Sequence, residues 1–158
     1  YGWYFGLAFG LMAWLVDRAR AAKGWGPMLA SVIVVGPLFY VWDLIIEGGA
    51  TALNWWEYTN NWGPELVTPN GNFPIVYPII PFVITAIIMV WAFVKRDAQG
   101  YLMHERWAGV PNRPRGFSRE LLRVLASAVW LNLMFWFLLV LPLVLMRVAF
   151  GGPSTIVP

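Results

Sequence analysis

The sequence predicts an all-α, polytopic membrane protein with about four transmembrane helices. Three observations predict it. Of the 158 residues, 59% are hydrophobic and only 12% are charged, about half the charge of an ordinary soluble domain. Four long apolar runs recur along the chain. Lys and Arg gather in two segments, with none between Lys23 and Lys95.

The first apolar run, 1–16, falls short of a full span. It starts apolar, without an initiating Met, a basic n-region or a small-residue cleavage site, so it reads as the remainder of a longer protein and not as a signal peptide. The runs at 28–46, 73–94 and 124–146 are longer. At about 1.5 Å per residue each approaches the ~30 Å of bilayer hydrocarbon. Backbone polar groups in hydrocarbon must be paired within the segment, so helices are expected. The whole chain, 1–158, then reads as one transmembrane domain forming the C-terminal part of a longer protein.

Charge supplies orientation. Ten of the eleven basic residues lie in the loops 17–26 and 95–123, and the eleventh is Arg147. The positive-inside rule places both loops in the cytoplasm, with the protein integral to the cytoplasmic (inner) membrane. The net charge of +3 is small. Its clustering suits topology and anionic lipid contact better than nucleic acid, which is not expected as a partner. Eleven Trp suit the boundary between headgroups and hydrocarbon. In the second basic loop, Ser118 with Arg119 and Glu120 is a candidate helix cap, and His104 reads as a surface side chain.

Composition narrows the chemistry. There is no Cys and one His, which excludes thiolate catalysis, disulfides and His-rich metal sites. Dinucleotide, phosphate-loop, serine-elbow and zinc-helix motifs are absent. No metal site and no cofactor are expected.

The candidate chemistry lies at the end of the second run. Asp43 and Glu47, four residues apart in Trp42-Asp43-Leu44-Ile45-Ile46-Glu47, share a helix face. A helix C-terminus, a like-charged neighbour and apolar surroundings all disfavour two ionised carboxyls there, so one protonated and one ionised group is the expectation, as an acid/base pair requires. The alternative is a pair of carboxylates facing water at the membrane boundary. The following loop of some 26 residues, with Asn54, Trp55, Trp56, Glu57, Tyr58, Asn60, Asn61 and Trp62, offers apolar walls and hydrogen bonds, or else an interfacial aromatic belt. The third run opens Asn72-Phe73-Pro74-Ile75-Val76-Tyr77-Pro78-Ile79-Ile80-Pro81. Its prolines would free carbonyls beside Tyr77, or simply kink the helix start. Asn132, within the fourth run, is expected to bond a neighbouring helix or to reach a polar cavity.

Together, the Asp43–Gly48 run, the aromatic stretch with Tyr58 and the segment Gly71-Asn72-Phe73-Pro74-Ile75-Val76-Tyr77 resemble the AveC-like spirocyclase family of membrane spiroketal-forming proteins. The resemblance covers roughly Val32 to Phe150 and places the chain at the family's C-terminal half. It departs at Pro78, where a Glu often follows the Tyr. It implies a cofactor-free cyclisation in which a hydroxyl adds to a ketone and a second hydroxyl closes the ring with loss of water. The substrate would be lipophilic and polyketide-like. Asp43 and Glu47 would then be catalytic, with Trp55, Trp56, Glu57, Tyr58, Asn72, Tyr77 and Asn132 contacting substrate.

Two other readings compete. One is a non-catalytic subunit of a larger membrane complex, its aromatic faces packed on other membrane subunits or on the lipid bilayer. The other is a membrane terpene cyclase, which also sets a carboxylic acid in an aromatic cavity. A transporter is disfavoured because no inverted second copy of the acidic helix is present.

Overall fold

The computed structural model describes residues 2–55, 57–58, 63–76 and 79–150. Helix α1 (Gly2–Lys23) ends where Gly24 adopts a left-handed φ of 66° and donates its N–H to Arg20 O, a conformation glycine takes without a Cβ penalty. Helix α2 (Pro27–Ala52) starts with Pro in its first turn, where a missing N–H costs nothing. A hairpin of β1 (Glu65–Thr68) and β2 (Gly71–Pro74) follows. A π-helical turn, Ile79–Val83, leads into α3 (Ile84–Val94). Beyond it lie the short α4 (Met103–Trp107), α5 (Phe117–Phe135), a π-helical turn at Trp136–Val140, and α6 (Leu141–Phe150), which continues α5.

The expected all-α, four-span architecture is overturned: the chain is mostly helical but includes a two-stranded antiparallel sheet, and fewer helices are long enough to span. Among the described residues two helices are long and apolar enough to cross a membrane, Pro27–Ala52 and Phe117–Leu145. In α1, the 22-residue helix carries Asp17, Arg18, Arg20 and Lys23 in its last third, which shortens its apolar part. The 73–94 run divides, and its apolar helix is only the 11 residues of α3, about 17 Å long. Its opening residues form β2, paired antiparallel with β1 in the register Glu65↔Pro74 to Thr68↔Gly71. Pro74 accounts for this. A residue before Pro is driven from the helical region to extended backbone, and a two-stranded sheet has only edges, where a missing N–H is tolerated. The kinked helix start expected at Asn72–Pro81 is therefore, at its described beginning, a strand.

The core joins three helices. Met12 and Val16 of α1, Ala30, Val35 and Phe39 of α2, and Ala86, Val90 and Val94 of α3 pack together. Arg20 Nη1 donates to Val94 O at 3.0 Å, so the C-terminal ends of α1 and α3 meet at one end of the bundle. The hairpin caps the other end. Asn70 Nδ2 donates to Ala52 O at 2.6 Å and Tyr40 OH to Ile75 O at 3.1 Å. The first of these satisfies a carbonyl that the end of α2 leaves open.

Helix α5 joins this unit through a small contact of Met134 with Met89 and Ala92. Thr85 Oγ1 also donates to Leu138 O at 2.9 Å, inside the π turn. Such turns loosen the regular ladder and expose carbonyls to other donors. Most of the Phe117–Leu145 helix is exposed, including Val124, Val129, Trp136, Phe137 and Leu145. Ser118 does not cap it: Gly116 precedes the first helical residue and no side chain caps the turn.

Candidate functional site

Helix α2 runs three residues past the Gly48-Gly49 pair, to Ala52. Glu47 is thus more than one turn inside the helix, and Asp43 more than two. The unfavourable effect of a helix C-terminus fades within the last turn, so that part of the case for charge asymmetry falls away. Burial remains. Asp43 is 6% exposed, and its Oδ2 is buried without a hydrogen-bond partner among the described residues.

Glu47 is half-buried on the same face, and Tyr58 OH donates to its Oε2 at 2.5 Å. The Tyr58 ring stands edge-on to Phe73, with centroids 5.5 Å apart. Phe73 is fully buried beneath α2, and Gly48 faces it. The hairpin therefore does more than close the end of the bundle. It supplies the apolar floor that holds Tyr58 against Glu47.

The remaining candidates lie apart from this group. Trp55 and Glu57 are exposed. Asn72 Nδ2 donates to Glu65 Oε2 at 2.7 Å across the hairpin. Asn132 is exposed and donates to Ala128 O of its own helix at 2.8 Å, which corrects the expectation of a bond to a neighbouring helix or a polar cavity. Trp56, Asn60, Asn61, Trp62, Tyr77 and Pro78 lie outside the described residues.

No described cation pairs with Asp43, Glu47, Glu57 or Glu65, and every described ion pair lies at the opposite end. No cluster of three metal-binding side chains occurs among the described residues.

That opposite end holds a second polar assembly. His104 is 4% exposed, not on the surface as its loop position suggested. Its ring lies between Phe93 and Trp130, with centroids 5.2 and 5.9 Å away, and Nε2 is 3.0 Å from Ser127 Oγ. Burial pushes its imidazole below the usual value, and Glu105 partly offsets this. Glu105 is also buried; Leu102 N donates to its Oε2 at 2.9 Å and Arg123 Nε to its Oε1 at 2.8 Å. Burial alone would raise the Glu105 carboxyl, but these donors hold it below the ordinary range. The sequence signal for this assembly was the helical spacing of Arg123, Ser127 and Trp130, which places them on one face of α5.

Comparison with known protein families, curated proteins and solved structures finds no match.

Proposed function

We propose that this chain carries the acid/base centre of a membrane-embedded, cofactor-free cyclase or dehydratase acting on a lipophilic, polyketide-like substrate. The observation that carries the reading is the pair on α2: a buried Asp43 with an oxygen unpartnered among the described residues, one turn from a Glu47 held by Tyr58. A buried ionised carboxylate lacking partners is costly, whereas a neutral acid is not. Asp43 is thus suited to donate a proton to a ketone oxygen or a departing hydroxyl. Glu47, accepting from Tyr58, is suited to remove the proton of the attacking hydroxyl. In hemiketal formation the hydroxyl oxygen bonds to the ketone carbon. In the second step water leaves and another hydroxyl closes the ring. The resemblance to spirocyclases supports this order of events.

Location in a membrane rests on Pro27–Ala52 and Phe117–Leu145. The cytoplasmic placement of the basic end follows from the positive-inside rule.

The test uses the purified protein in detergent with a lipophilic dihydroxy ketone, following formation of the cyclised product. Asp43→Asn and Glu47→Gln are each expected to lower turnover by at least ~100-fold, the scale of a lost acid or base, with unchanged helical content. Full activity in both amides would end the proposal.

A second reading is favoured by one observation, the exposed apolar length of Phe117–Leu145. Such a surface needs a cover of lipid or of other helices. A stoichiometric membrane partner that copurifies with a chain inert toward any such substrate would favour an accessory subunit.

A further inference from the structure

At the basic end, a cavity of about 440 Å³ opens between the end of α3 and the segment leading into α4. Its lining mixes two kinds of side chain. Trp91, Ala92 and Met103 are apolar, while Lys95, Arg96 and Arg106 bring positive charge beside the single lining carboxylate of Asp97. These charges are not equally committed. Arg106 is bonded to Asp97 and Gln99, so those two charges cancel locally. Lys95 Nζ lies over the Trp91 ring, 4.9 Å from its centroid, and Arg96 gives one N–H to Gly100 O at 3.2 Å. Neither pairs with a described carboxylate.

The cavity sits where the apolar helix α3 gives way to polar chain and includes Trp91, a residue type favoured at the edge of bilayer hydrocarbon. A soluble anion would leave the apolar wall in contact with water. A neutral lipid would leave two cations unmatched.

We propose that this cavity is a discrete binding site for an anionic phospholipid, with its phosphate on Lys95 and Arg96. Its glycerol and first methylenes lie against Trp91, Ala92 and Met103. Arg96 retains donors for a phosphate oxygen, and Lys95 acts as a mobile point charge. The site lies at the end of the bundle remote from Asp43 and does not depend on a catalytic role for that residue.

The test is native mass spectrometry of the detergent-solubilised chain with phosphatidylglycerol, with phosphatidylcholine, and with sn-glycerol 3-phosphate as competitor. One phosphatidylglycerol is expected to remain bound under conditions that strip phosphatidylcholine. The double variant Lys95→Gln/Arg96→Gln is expected to weaken its binding about 30-fold, on the usual contribution of two basic residues at an anionic surface. Arg113→Gln/Arg115→Gln removes the same charge outside the cavity and is expected to leave binding unchanged. Equal retention of the two lipids would overturn the proposal. So would equal losses in the two double variants, since net charge alone would then explain binding. Displacement of the lipid by sn-glycerol 3-phosphate at equal concentration would reject a lipid source in favour of a soluble phosphate ester.

Discussion

His104 shows how one side chain links acidity to local structure. Burial between Phe93 and Trp130 holds its imidazole below the ordinary 6.5, with Glu105 pulling the other way. Once unfolded, the same side chain takes up a proton more readily. Neutral His104 therefore contributes stability above its unfolded value, and this contribution is lost as pH falls from 6.5 through the folded value. Glu105 acts in the same direction at lower pH. Its contribution is complete above its ordinary 4.5 and lost as pH falls through its depressed folded value. Amide exchange in 102–107, corrected for intrinsic rates, should accelerate between about pH 7 and about pH 5.5, before the carboxyls titrate. His104→Gln should flatten that rise. Protection that stays constant in the native protein across this interval would contradict the assignment.

Among the elements, α2 and the hairpin depend on one another. The hairpin lies against α2 where Gly48 leaves the backbone bare, and a Cβ built there would meet Phe73 Cδ1 at 3.8 Å and Leu66 Cδ2 at 3.9 Å. Both are ordinary contact distances. Glycine within a helix lowers its stability by about 0.5–1 kcal/mol relative to alanine. Gly48→Ala should therefore raise thermal stability in detergent by roughly that amount, without displacing the hairpin. A lower melting temperature would mean that Phe73 and Leu66 cannot accept even a methyl group. The hairpin also shows a local signal that apolarity concealed. Pro69 and Asn70 are strong turn formers, yet the apolar run from Phe73 onward reads more readily as the start of a long helix.

For the whole molecule, the ends of the bundle are chemically distinct. The Arg20 contact to Val94 O gathers the basic segments at one end, and the Asn70 contact to Ala52 O fixes the acidic helix and hairpin at the other. The chain has no Cys, so single cysteines can report sidedness. Lys23→Cys and Arg113→Cys should react with an impermeant maleimide from the same side of sealed membranes, and Val67→Cys from the opposite side. All three positions are exposed. Labelling of all three from one side would refute a membrane lying between the two ends.

By itself the sequence determined a mostly helical chain, the two long apolar helices that overlap 28–46 and 124–146, the segregation of positive charge, and the placing of Asp43 and Glu47 on one helix face. These are local properties: composition, run length and a spacing of four residues each act within a few turns. Only tertiary structure decided that α3 is short, that β1 and β2 pair, and that Tyr58 reaches Glu47 while Asn132 turns back to its own helix. It also decided that His104 is buried. Each depends on a contact between distant elements, or on the backbone a turn selects, and apolarity alone does not distinguish a buried strand from a spanning helix. The positions of Asp43 and Glu47 and their apolar surroundings were therefore legible in the sequence, whereas the extent of Asp43's burial and the Tyr58 hydrogen bond to Glu47 were not.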